Sequence, residues 1–137
     1  MMKAKRSVVP TKVGEAIRYL NNAKEILKKA PREGRVYTDI KPVREACGTA
    51  YLAVLEAINE YLLAHGLTKR ELPRSVEAYQ KTLRKYAGIH NGKLFREFDK
   101  LYDELHIAGY YRGLLWGMGA VQDAFNLAQK FITKIAK

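Results

Sequence analysis

The chain has 137 residues, 47% of them hydrophobic and 28% charged, with a formal net charge of +11. That length and balance fit one globular domain and exclude a disordered chain or two separate cores. A single cysteine excludes an internal disulfide, and with it a stapled secreted scaffold.

Residues 1–10 read as a flexible basic arm ending at Pro10, and residues 11–137 as one domain. The basic start is not followed by an apolar core, so it lacks the form of a signal peptide. From Thr11, whose hydroxyl suits an N-cap, Val13, Ala16, Ile17, Leu20, Ala23 and Leu27 recur at three- and four-residue steps. This is the period of an amphipathic helix, and Pro31 and Gly34 close it. Residues 32–41 connect to a second helix with Pro42 in its first turn, where the missing N–H costs nothing. Val43, Ala46, Cys47, Ala50, Tyr51, Val54, Ile58, Tyr61 and Leu62 form one broad face of that helix, and His65 and Gly66 end it.

Thr68 and Glu71 have capping-box spacing, with Pro73 close behind. A shorter helix is expected from about Arg74 to Tyr86, burying Val76, Tyr79, Leu83 and Tyr86; Gly88 and Asn91-Gly92 then turn the chain. Leu94, Phe95, Phe98, Leu101, Tyr102 and Leu105 mark a fourth helix, and a fifth is expected from around Tyr110 to Ile135. No alternating strand pattern of useful length occurs. The expected fold class is all-α, an antiparallel bundle of about five helices. No stretch reaches the ~20 apolar residues of a spanning helix. The nearest, Leu105 to Val121, is broken by His106, Arg112 and four glycines. The expectation is a cytoplasmic protein without membrane contact.

Several groups could carry chemistry. Gly109, Gly113 and Gly117 stand four apart, and Ala120, Ala124 and Ala128 continue the stripe. Glycine costs a helix about 1 kcal/mol against alanine, so such spacing needs close approach of another backbone. That backbone belongs to the bundle itself, to a second copy across a dimer face, or to a ligand cleft. Tyr110, Tyr111, Arg112 and Trp116 are the densest aromatic and cationic cluster, suited to stacking on bases or anchoring an interface. Their plainer reading is core aromatics beside a surface arginine.

Arg84 and His90 pair a guanidinium with a general base, which can cleave RNA without a metal. The plainer reading is a solvated arginine and a loop histidine. Asp99, Asp103 and His106 have ligand-like helical spacing, but Glu56 and Glu60 bring no second histidine, so no metal is expected. Cys47 on an apolar face reads as a packing thiol. The sequence holds no P-loop, dinucleotide fingerprint, nucleophile elbow, zinc-protease helix or paired-cysteine motif, and no cofactor is expected.

The segment from Ala46 to Gly66, with small residues and tyrosines ending in glycine, resembles the second helix of HEPN-type bacterial domains. Leu101 to Gly113 and the alanine-rich last helix resemble their C-terminal half, so the likeness spans roughly residues 12 to 135. The chain also resembles uncharacterised bacterial helical bundles without assigned activity. The HEPN resemblance implies a helical bundle, often dimeric, that is either a binding module or a metal-independent ribonuclease. The catalytic members use an arginine, four to six intervening residues, then a histidine. Arg112 fits that arginine by position, but Gly117, Met118 and Gly119 stand where the histidine belongs. Arg84 and His90 fit by spacing, but in another helix and with Lys85 after the arginine.

The expected function is therefore a non-catalytic binding module, a homodimer whose partner is a protein or RNA. The positive charge fits an anionic partner. The alternative is a toxin-type, metal-independent ribonuclease using Arg84 and His90.

Overall fold

The computed structural model describes residues 8–86 and 92–136. In chain order they form α1 (Val8–Lys28), a small hairpin of β1 (Arg32–Glu33) and β2 (Val36–Tyr37), α2 (Ile40–Ala64), a 3₁₀ turn (Lys69–Glu71), α3 (Val76–Tyr86) and α4 (Lys93–Leu101). The last of these runs on without a break as a π-helical segment (Tyr102–Tyr111), and α5 (Met118–Ile135) follows. The all-α bundle is what the chain forms.

Helix α2 is the hub. It packs most extensively on α1, then on the π segment and α5. Its face of Val43, Ala46, Cys47, Ala50, Ala53, Val54 and Ile58 is fully buried. Three alanines on that face let neighbouring helices come close. The large side chains filling the centre are Leu20, Leu62, Phe98, Leu101, Leu105 and Phe131, all with essentially no exposure. Each such burial removes about 1.5–3 kcal/mol worth of apolar surface from water.

Local chemistry fixes the ends. The Asp39 carboxylate accepts from the Lys41 amide at 3.1 Å and starts α2 one residue later. Gly66 takes a left-handed φ of 101° and turns the chain out of α2. The Thr68–Glu71 capping box forms, with the Glu71 carboxylate accepting from the Thr68 amide at 2.8 Å. It caps only the 3₁₀ turn, because Pro73 cannot continue a helix. Ser75 then restarts the chain, its hydroxyl accepting from the Ala78 amide at 3.1 Å, so α3 begins at Val76 and not at Arg74.

Three expectations are corrected. Helix α1 starts at Val8, so Thr11 lies inside it and Pro10 occupies its first turn; residues 1–7 of the expected arm lie outside the described residues. The connector after α1 is not wholly irregular: Arg32 pairs with Tyr37 and Glu33 with Val36 across the hairpin. The fifth helix starts at Met118 and not near Tyr110. Before it, the π segment ends where the Arg112 amide donates to the Ile107 carbonyl and the Leu114 amide to the Ala108 carbonyl, both at 2.8 Å. The hairpin supplies partners to the stretch that follows. The Tyr37 amide donates to the Trp116 carbonyl at 2.8 Å, and the Met118 amide donates to the Arg35 carbonyl at 2.9 Å.

Candidate binding surface

The π segment lies against α2 because two glycines make room. A Cβ on Gly109 would stand 2.7 Å from both Cβ and Sγ of Cys47. A Cβ on Gly48 would stand 2.8 Å from Cδ1 of Tyr110. Arg44 on α2 then holds the end of the segment. Its Nε donates to the Tyr110 carbonyl at 2.8 Å, and a terminal nitrogen donates to the Tyr111 carbonyl at 3.0 Å. A cation is well placed there, because these carbonyls are the negative end of the helical dipole.

The glycines therefore do not form one helical stripe. Gly109 serves internal packing against Cys47. Gly113 lies beyond the segment at a φ of 62°, in the left-handed region, where a Cβ would also stand 3.1 Å from the Arg44 side chain. Gly117 is the extended residue before α5, paired with Val36. A dimer face built from all three on one helix is ruled out by this break.

The aromatic cluster is on the surface, not in the core. Tyr110, Tyr111 and Trp116 are 46%, 68% and 44% exposed, and Arg112 is exposed beside them. Leu114 and Val36 join them, both about half exposed. Leu114 and Trp116 alternate along an extended stretch, and that stretch borders β2 through the Val36–Gly117 bridge. The loop is thus held in place at both ends, by Arg44 and by the hairpin.

A groove of about 530 Å³ adjoins this loop between α2 and the π segment. His106 and Tyr110, part of a column of rings, form one wall. Tyr102 and His106 stack at 5.4 Å and His106 and Tyr110 at 5.9 Å, with Tyr51 of α2 4.9 Å from His106. Gly48, Leu52 and Leu55 of α2 form the other wall, and Glu45 and Thr49 complete the lining. A second cavity of about 270 Å³ shares Tyr51, Leu55 and His106 and reaches Arg74 and Ser75 before α3. Burial raises the Tyr51 hydroxyl well above the usual tyrosine range, so it stays a neutral phenol.

The remaining candidates form no cluster among the described residues. Arg84 is exposed and its guanidinium lies 4.2 Å from the Phe95 ring centroid, a cation–π contact; His90 lies outside the described residues. Asp99 accepts a hydrogen bond from Gln80 at 2.6 Å, and His106 is enclosed by tyrosines. Among the described residues no three His, Cys, Asp or Glu side chains gather as a metal would require. Cys47 is buried, and burial pushes its thiol up to about 12.

Sequence reasoning missed Arg44 and the ring column. Leu52 carried a readable signal, since it sits off the apolar face of α2 and is half exposed.

Fold and surface together define a small all-α bundle presenting a pinned aromatic loop beside an apolar groove. No helix among the described residues is long and apolar enough to cross a membrane. The chain belongs to the family described as a domain of unknown function, DUF5618, which matches residues 11–137. It is also similar to a solved protein of unknown function from Dyadobacter fermentans. The two are 32% identical, with a TM-score of 0.77 over 92% of this chain and 94% of that one. No curated protein matches it.

Proposed function

We propose that this chain is a non-catalytic binding module that works as a homodimer, with the Tyr110–Trp116 loop as its contact surface. The observation that carries the reading is the exposure of Tyr111, Leu114 and Trp116 on a backbone fixed by Arg44 and the hairpin. Fixed aromatic side chains lose little entropy on binding and are the usual anchors of protein interfaces. Val36 and Leu114 favour a protein over RNA as the occupant, because stacking on bases uses rings and gains little from aliphatic side chains. The HEPN-type resemblance agrees, since such bundles are often dimeric.

Salt separates the readings. Two copies each carrying +11 repel, so screening should strengthen self-association through an apolar patch. Contacts to RNA phosphates weaken with salt instead. Light scattering at low and high salt should show a dimer that gains population with salt, and Tyr111→Ser with Trp116→Ser should return it to monomer. A monomer at every salt concentration refutes the dimer. RNA shifts in a native gel that fade with salt, and that the same double variant abolishes, would assign the loop to RNA.

A further inference from the structure

We propose that the cavity between α1, the hairpin and α5 binds a small organic phosphomonoester, with its phosphate among Lys24, Lys28 and Arg32 and its apolar body against Leu27 and Phe125. This site is separate from the exposed loop argued above and does not depend on it.

The cavity measures about 350 Å³, within the range of small-molecule sites. Lys24 and Lys28 of α1 and Arg32 of β1 line it, and among the described residues no carboxylate does. A cleft lined by one sign of charge focuses its field on a counter-ion. Two of the three cations have only neutral acceptors among the described residues. Lys24 Nζ donates to Gln129 Oε1 at 3.3 Å, and an Arg32 terminal nitrogen donates to the Gly34 carbonyl at 3.1 Å and to Met118 Sδ at 3.4 Å. Lys28 pairs with Glu25 at 3.3 Å, an exposed contact of the kind worth little, so it exchanges readily for a better anion.

Tyr37 is an independent sign of a ligand. It is 4% exposed yet lines the cavity, and its hydroxyl has no hydrogen-bond partner among the described residues. A buried hydroxyl in that state costs stability unless an acceptor reaches it. Burial holds this phenol above the usual tyrosine range, against the opposing pull of the nearby Arg32 charge. It therefore keeps its proton at neutral pH and is a donor beside a cation. A phosphate oxygen meets both, accepting from the phenol and from the guanidinium. Three cations suit the nearly double charge of a phosphomonoester better than the single charge of a carboxylate. Leu27 and Phe125 add apolar wall, which inorganic phosphate would leave uncovered.

The test is calorimetric titration of the whole chain with 1-naphthyl phosphate. Saturable binding is expected, at least about tenfold tighter than that of 1-naphthol or of inorganic phosphate. 1-Naphthoate, with one charge, should bind more weakly than the phosphate ester, and affinity for the ester should fall below pH ~6, where its second proton returns. Tyr37→Phe keeps the ring and the backbone amide and should weaken binding about tenfold, as should Arg32→Gln. Circular dichroism should confirm that both variants fold. Lys69→Gln with Lys81→Gln removes exposed charge away from the cavity and should leave binding unchanged, as should Tyr111→Ser with Trp116→Ser. A parent chain that does not bind the ester overturns the proposal, and so does equally tight binding of naphthol or naphthoate. A Tyr37→Phe variant that binds as the parent does, or a loss in the Lys69 and Lys81 double variant as large as in Arg32→Gln, overturns it too.

Discussion

Gly48 and Gly109 face each other's elements across one contact, yet alanine should act oppositely at the two. At Gly109 the new Cβ would sit 2.7 Å from Cys47 Cβ and Sγ and 3.1 Å from the Glu104 carbonyl oxygen. Two of those three atoms cannot swing aside: the Cβ is fixed to the α2 backbone, and the carbonyl belongs to the π segment itself. The segment must move off α2, and overpacking of this kind costs about 1–3 kcal/mol. Alanine's better helix propensity, worth up to about 1 kcal/mol, offsets only part of that.

At Gly48 the new Cβ would meet only Tyr110 ring atoms, at 2.8, 3.3 and 3.4 Å. That ring is 46% exposed and has water to turn into, so propensity wins. Gly109→Ala should therefore lose roughly 1–3 kcal/mol in urea unfolding, with Tm falling by about 4 °C per kcal/mol. Gly48→Ala should be neutral or gain up to about 1 kcal/mol. Adding Cys47→Ala to Gly109→Ala removes Sγ but leaves the Cβ clash, so rescue should be partial. A Gly109→Ala variant as stable as the parent, or a Gly48→Ala variant that loses more than Gly109→Ala, would refute the close approach on which the whole surface is built.

Other outcomes follow from single contacts. Arg44→Ala leaves the Tyr110 and Tyr111 carbonyls without their donors and should cost about 1–3 kcal/mol, with faster hydrogen exchange at residues 110–114. Lysine at that position should recover less than half, because one ammonium cannot reproduce the guanidinium fork. Gly14→Ala, in α1 with nothing within 4 Å of the new Cβ, should stabilise by up to about 1 kcal/mol in thermal melts. The Cys47 thiol, raised to about 12 by burial, makes stability fall in alkali. Above pH ~8.5 the unfolded chain releases this proton while the folded one keeps it, so stability drops by about 1.4 kcal/mol per pH unit until the folded thiol ionises. Tyr51, Tyr79 and Tyr37 are raised too and add to the slope only from about pH 10. Urea titrations between pH 8.5 and 10 should thus show a slope in the parent that Cys47→Ala lacks, and an unchanged slope in the variant would contradict the assignment.

The parts of this fold that were legible are those set by local periodicity. The buried face of α2 is almost the one read from spacing, and the Thr68–Glu71 box and the Gly66 stop are where the residues place them. What could not be read depends on partners distant in sequence. The stripe of Gly109, Gly113 and Gly117 looks helical by spacing, but Arg44, sixty-six residues before Tyr110, ends the segment there. The hairpin then draws residues 114–117 into extended form through Tyr37 and Arg35. A two-residue strand leaves no alternation to detect. One cue was available and misweighted: Arg112-Gly113 is a cation followed by a left-handed glycine, an ordinary helix stop.

The same distant contact accounts for the candidate surface. The i→i+5 pattern of the π segment is less favourable than an α-helix and survives where packing enforces it. Here the enforcing groups are Gly109 and Arg44, which seat the segment close on α2 and clamp its last carbonyls. With the segment seated, Tyr102, His106 and Tyr110 stack in a column beside Tyr51, and His106 and Tyr110 line the groove. With its end clamped, the chain leaves at Gly113 and presents Leu114 and Trp116 outward. Groove and loop are therefore two results of one helix contact, the one made at Gly109 and clamped by Arg44. Reading each aromatic residue singly, as core filler or metal ligand, misses that they share a scaffold.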